Sequence, residues 1–384
     1  MVDLSRRYAV VGIGEARIGR REDLTGIQLA VEATDNAVSD AGLSYGAIDG
    51  ILSHAPYGDP EFLYTIKLAE ALGIQPSFAF DLHIGGATPC AAAALAAGAI
   101  EAGLCQNVLY VGAEAMWSQY KERRPTHGKF RWGYEDFEEP FGLVEAAPAY
   151  ALFARRHMHE FGTTHEQLGA IAVTTRSHAT MNDNAQMTQP ITMDDYLRSR
   201  WIAEPFRLLD CSLISDFGGA FIITSLERAR DLANRPAIIL GAAQQHTHRF
   251  VASAELTQCG AARAGPRAFE MARLTPKDVD VAELYDSFTY TTLVQLEDYG
   301  FCEKGEGGPY VESVGTAIGG KLPVNTHGGL LSQAHADGIL HVTEAVKQLR
   351  GTCGERQVEG AEVALVSGSG GVFATHSSLI LGRD

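Results

Sequence analysis

Short apolar runs alternate with longer stretches of helical periodicity through most of the chain. Tyr8–Gly14 (YAVVGIG) reads as a buried strand, and Thr25–Ala41 repeats apolar residues at helical spacing until Gly42, a residue suited to the left-handed end of a helix. Ile51-Leu-Ser-His predicts a short strand, Leu63–Leu72 a helix and Phe78–Leu82 another strand. Gly85-Gly86 then opens an Ala-rich helix to Ala102, followed by a strand at Val108–Gly112. Alternation of this kind argues for an α/β fold with buried, mainly parallel strands.

The pattern also repeats. Residues 85–114 run Gly-Gly, apolar helix, Gly, strand (NVLYVGAEA), and 328–371 run Gly-Gly, apolar helix, Gly, strand (EVALVSGSGG). Upstream of each, AVSDAGLSYGAIDGILSH at 37–54 resembles MARLTPKDVDVAELYDS at 271–287. Two similar halves predict a duplicated core. Residues 115–200 fit neither half and read as an insertion: a basic, aromatic cluster at Lys121–Trp132, an acidic run at Glu135–Glu139, then a helix over Leu143–Phe161. Asp216-Phe-Gly-Gly-Ala is expected to precede a strand at Phe221–Thr224, with Ser225 capping the next helix, and a linker is expected within Gln244–Pro266. The halves are placed at 1–255 and 256–384.

Composition narrows the function. Of 384 residues, 31 are Lys or Arg and 47 Asp or Glu, a formal charge of −16, which leaves no broad basic face for nucleic acid. A 46% hydrophobic and 20% charged chain has the makings of a large core. The longest uncharged apolar stretch, Cys90 to Ile100, falls short of the ~20 residues of a membrane span. The amino terminus passes into a strand without a signal-peptide segment, and six scattered cysteines (90, 105, 211, 259, 302, 353) form no CxxC pair. A cytoplasmic protein without structural zinc or disulfides is expected. His83, Asp210 and Asp216 show no ligand pairing at short spacing, so no metal is expected either.

Five segments in this order, GGATPCAAAALAAGAIEAGLCQNVLYVGAEAMW, SDFGGA, ELYDSFT, NTHGGLLSQAHADG and VSGSGGVFA, together resemble the thiolase superfamily across nearly the whole chain, nearest its lipid-transfer-protein group beside the sterol-carrier-protein thiolases. The resemblance implies a five-layer αβαβα sandwich of two similar halves with an inserted loop region. It also implies a homodimer acting on acyl-coenzyme A, with coenzyme A as part of the substrate and no permanently bound cofactor. Thiolases attack with a cysteine at the start of the buried helix; here that position falls on Gly86. The second thiolase cysteine falls in Val366-Ser367-Gly368. His335 aligns with the histidine of the Gly-His-Pro motif, and Tyr285-Asp286-Ser287-Phe288 stands where thiolases carry Asn-Glu-Ala-Phe.

Several side chains become candidates. Tyr285, Asp286 and His335 are the expected acid–base residues, and backbone N–H groups at Gly86 and Gly368 the expected oxyanion site. Asn325 and His327 are expected to touch substrate, and Arg123, Arg124 and Trp132 to hold the phosphates and adenine of coenzyme A. Cys90, one helical turn after Gly86, is the alternative nucleophile. With no cysteine at either thiolase position, the chemistry implied is aldol or retro-aldol cleavage of a β-hydroxyacyl-CoA. Members of the group act this way on steroid side-chain esters with a small OB-fold/zinc-ribbon partner. An acyltransferase using Cys90, a β-ketoacyl synthase and a non-catalytic acyl-CoA-binding scaffold are the rivals.

Overall fold

The structure, a computed structural model, describes residues 4–57, 61–121, 137–248, 250–313 and 315–384. The strands are β1 (Tyr8–Glu15), β2 (Gly50–Ser53), β3 (Phe78–Asp81), β4 (Val108–Ala115), β5 (Trp201–Ala203), β6 (Phe206–Arg207), β7 (Asp216–Ser225), β8 (Ala237–His246), β9 (Val281–Glu283), β10 (Val363–Gly370) and β11 (Thr375–Arg383). The helices are α1 (Gly26–Ala41), α2 (Tyr64–Leu72), α3 (Thr88–Glu101), α4 (Met116–Lys121), α5 (Ala146–Phe161), α6 (His165–Ala179), α7 (Met193–Arg198), α8 (Leu226–Ala229), α9 (Ala261–Ala272), α10 (Thr289–Asp298), α11 (Gly307–Ser313) and α12 (Ile339–Arg350). Among the described residues no helix is long and apolar enough to cross a membrane.

The strand order is β3-β2-β4-β7-β1-β8-β11-β10-β9, with β5 and β6 paired separately. The first five belong to the amino-terminal half and the last four to the carboxyl-terminal half, so the boundary falls before β8, which pairs along its length with β11, and not at residue 255; the halves join where Ala9 and Val10 of β1 face Ile238 and Ala237 of β8. A parallel bridge from Ala282 to Val324 stands outside β9 where β3 stands outside β2, so the two halves mirror each other. Helices α3 and α12 lie between the halves and pack on strands of both, whereas α1 and α2 cover the first half and α9 the second. Three hydrophobic cores fill the gaps, giving the five αβαβα layers.

Local sequence explains the close layering. Thr25 and Gln28 form a reciprocal capping box at the start of α1, and Gly42 closes it at φ 68. Any Cβ on Gly12 or Gly14 of β1 would overlap the carbonyls of Ala37 or Ala33 in α1, and one on Gly241 of β8 would overlap the carbonyl of Ala268 in α9. Glycine in the strand and alanine in the helix let each outer helix sit almost on the backbone of its sheet. The same contact corrects one expectation. Asp216–Ala220 is not a loop before a strand but the first half of β7. Its Gly218 is needed where the carbonyl of Leu29 in α1 crosses it, so the glycines expected ahead of the strand mark a close crossing within it.

Buried ion pairs tie the central helix α12 to the first half. Lys347 reaches Glu15 at 2.5 Å and Arg350 reaches Asp40 at 2.7 Å, while within the second half Arg356 holds Glu344 at 2.9 Å. Burial pushes the Glu344 carboxyl up, but Arg356 outweighs it and holds the group down at about 2.

Candidate active site

The amino end of α3, the carboxyl ends of β2 and β9, the loop before α12 and the β10–β11 turn converge on one cavity of about 670 Å³. Its walls include Tyr57, His83, Gly85, Gly86, Tyr150, Tyr285, Ser287, His335, Asp337, Ser369, Gly370 and Gly371, with Met116, Ala146, Phe288 and Val372 supplying apolar surface. None of the six cysteines lines it.

Tyr285 follows β9 and is clamped through its backbone. Its N–H donates to Ser367 Oγ at 2.9 Å, and its carbonyl accepts from Gln295 Nε2 at 2.8 Å and Thr291 Oγ1 at 3.0 Å. The ring then lies directly over Gly86: a Cβ there would fall 2.5 Å from the phenol oxygen and collide with the ring carbons beside it. The volume of a side chain at position 86 is thus occupied by the phenol of residue 285. An open approach of a thioester to the Gly86 backbone, as the absent side chain suggested, is replaced by a filled contact.

The phenol oxygen is 3.5 Å from His335 Nε2. His335, whose side chain is 26% exposed, has its backbone N–H on Ser215 Oγ at 3.2 Å, and its Nε2 stands 3.9 Å from Asp337 Oδ1. Burial first, then the charge of Asp337, raises the Tyr285 phenol well above its ordinary range. Tyr285 is therefore a neutral hydrogen-bond donor and acid, not a resident base. His335 does not begin the helix, as the Gly-Gly pattern predicted. It lies in the loop before α12, because Asp337 and Gly338 take left-handed φ values of 45° and 79° and delay the helix to Ile339.

Behind the wall, Asp337 Oδ2 is 3.4 Å from His54 Nε2. Burial together with Asp337 pushes the nearby Glu114 carboxyl up to about 8. Sequence reading did not find Tyr57, Tyr150, His54, Glu114 or Asp337. A single Glu near the end of the otherwise apolar run VLYVGAEA was the available signal for Glu114.

Other candidates stand elsewhere. Asp286 is fully buried and outside the cavity; it accepts from the N–H groups of Leu330 and Leu331 and from His341 Nε2, fixing the turn Gly329–Gln333. Asn325 pairs through both side-chain atoms with the N–H and carbonyl of Leu284, acting as a strand neighbour rather than a substrate contact. His327 is equally buried, with Nδ1 at 2.9 Å from Glu283. Gly368 lies one residue inside the cavity wall, opposite Ser377 in the β10–β11 ladder, where its missing Cβ makes room for the Gly86 carbonyl. The wall itself is Ser369–Gly371. Cys90 is buried in the central core and burial raises its thiol well above the ordinary value, so it is neither accessible nor ionised. Asp210 and Asp216 accept hydrogen bonds within the fold, the former from Tyr196 and Thr289, the latter from Ser118 and the Arg21 N–H. Arg123, Arg124 and Trp132 lie outside the described residues.

Residues 242–383 match the family model "Thiolase C-terminal domain-like". The chain is 39% identical over 394 residues to the 17-hydroxy-3-oxo-4-pregnene-20-carboxyl-CoA lyase of Mycobacterium tuberculosis, covering 99% of this chain and 100% of that one. It is 34% identical over 389 residues to an acetyl-CoA acetyltransferase of Methanothermobacter thermautotrophicus, covering 97% of this chain and 99% of the relative. The solved Ltp2-ChsH2(DUF35) aldolase superposes with a TM-score of 0.91 at 36% identity, over 100% of this chain and 99% of that chain. The chain belongs to the thiolase superfamily.

The Gly86–Tyr285 contact makes a quantitative prediction. Gly86→Ala should cost about 1–3 kcal/mol of stability, the usual penalty of overpacking. In a Tyr285→Ala background the same change should cost close to nothing. Denaturant melts of the four proteins measure the coupling, and an equal penalty in both backgrounds would show that the ring is not what Gly86 accommodates.

Proposed function

We propose that this chain is a C–C lyase that splits, or in reverse forms, a β-hydroxyacyl-CoA thioester by (retro-)aldol chemistry without an acyl-enzyme. The observation that carries this reading is the neutral phenol of Tyr285 in the space beside Gly86, 3.5 Å from His335, in a cavity without a cysteine. In the cleavage direction His335 takes the proton of the β-hydroxyl as the Cα–Cβ bond breaks. The electron pair moves onto the thioester, whose oxygen lies against the backbone N–H groups of the Gly370–Gly371 turn in the cavity wall. Tyr285 donates its proton to Cα, and the proton on His335 returns to Tyr285 across the 3.5 Å contact, so that both residues end as they began. The names of the lyase and aldolase relatives support the same reaction class, and the apolar walls suit a bulky steroid-like acyl group.

Coenzyme A enters as part of the substrate. Met116 and Ala146, on either side of the basic segment, both line the cavity, which supports Arg123, Arg124 and Trp132 as its phosphate and adenine contacts. A homodimer is supported by Phe80, 54% exposed on the edge strand β3, and by the 89% exposed Phe62 just before α2; light scattering would read twice 41.2 kDa. The DUF35 named in the solved aldolase supports a small OB-fold/zinc-ribbon partner, and the cytoplasm is the proposed location.

Assayed with such a partner, Tyr285→Phe or His335→Ala should lower the rate of C–C cleavage of a β-hydroxyacyl-CoA at least about a hundredfold, within the 10²–10⁴ span of a lost general acid or base. Ester binding should change little. The paired replacement Arg123→Ala and Arg124→Ala should act in the opposite way, raising KM with kcat retained. Wild-type rates in both single variants would remove Tyr285 and His335 from the mechanism. No turnover by the wild type with its partner would favour the acyl-CoA-binding scaffold.

A further inference from the structure

Against the cavity wall lies a second constellation, which shares Asp337 with the site but adds two groups, His54 and Glu114, that the aldol mechanism does not use. The parallel strands β2 and β4 deliver His54 and Glu114 at their carboxyl ends, and the loop before α12 delivers Asp337. All three are buried, and their donor atoms lie within 4.8 Å of one another. His54 Nδ1 is engaged by the Tyr110 hydroxyl at 3.2 Å, and Glu114 Oε1 accepts from the Tyr57 N–H. His54 Nε2 and Glu114 Oε2 are left without a hydrogen-bond partner although they are buried. His54 Nε2 stands 3.4 Å from Asp337 Oδ2 in an orientation that makes no hydrogen bond. Two ligands held at about 2.0–2.2 Å by one tetrahedral ion are separated by about 3.4 Å.

Charge and ligand type agree with that spacing. Metal binding displaces the protons of its ligands, and the resulting neutral imidazole and two carboxylates carry two negative charges in a buried site, which one divalent cation cancels. Orientation of a ligating histidine by a hydrogen bond to its other nitrogen, as Tyr110 provides, is usual around metals. One nitrogen and two carboxylate oxygens suit zinc, with manganese next. We propose that His54, Glu114 and Asp337 bind one divalent cation of the zinc–manganese class, with its remaining coordination position toward the cavity that Asp337 and Tyr57 line. The competing arrangement places a proton where the cation would be, His54 then pairing with Asp337 as an imidazolium.

The two arrangements differ in binding, so the test needs no turnover assay. The full chain is stripped with a chelator, titrated with Zn²⁺ and separately with Mn²⁺ by calorimetry, and its metal content after reloading is read by mass spectrometry. The proposal expects about one equivalent per chain and an increase in Tm on binding. Glu114→Gln and Asp337→Asn keep side-chain shape and should each weaken binding at least tenfold, and either one that folds is sufficient for the comparison. No binding by the wild type, or binding that both variants retain in full, would overturn the proposal.

Discussion

The absence of one Cβ governs this site. At position 86 a methyl group or anything larger would run into the ring of Tyr285, and Tyr285 cannot withdraw because Ser367, Thr291 and Gln295 hold its backbone on both sides. Tyrosine at the end of β9 therefore requires glycine at the start of the buried helix. Gly368 and Gly370 extend the same logic, since a Cβ on either would strike the backbone of Gly86 or Ile84. The amino end of α3 and the β10–β11 turn meet backbone to backbone, and the contact leaves a flat, side-chain-free floor under the phenol.

Burial then sets the chemistry of what lies on that floor. A phenol that water cannot solvate, near the carboxylate of Asp337, keeps its proton. His335 beside it is partly exposed and lines the same cavity. The usual thiolase arrangement requires a thiolate; Cys90, one turn away from Gly86, is enclosed among alanines and aliphatic side chains where a thiolate would be costly.

Much of the fold was legible along the chain. The helical periodicity of Thr25–Ala41, the Gly42 stop, the Gly-Gly openings and the repeated strand–helix order were local signals, and they led to the layered architecture. Gly86 and Tyr285 were also legible, as departures from the motifs that surround them. Their contact was not, because it joins the first half to the second. Asp286, Asn325 and His327 were misread for a related reason: polar residues next to a motif can serve the backbone instead of the cavity, as the pairing of Asn325 with Leu284 shows. Asp337 and Gly338 delay α12 through left-handed backbone that apolar periodicity does not reveal. His54, Glu114 and Asp337 meet only because β2, β4 and the loop before α12 end at one place.

The central claim is that Tyr285 has replaced a covalent nucleophile, and intact-mass spectrometry tests it most directly. The protein is incubated with acetyl-CoA, acetoacetyl-CoA and a β-hydroxyacyl-CoA, quenched in acid and weighed. The chain should keep its unmodified mass of 41.2 kDa in every case. An acyl adduct that maps to Cys90, or to any other cysteine, would contradict it.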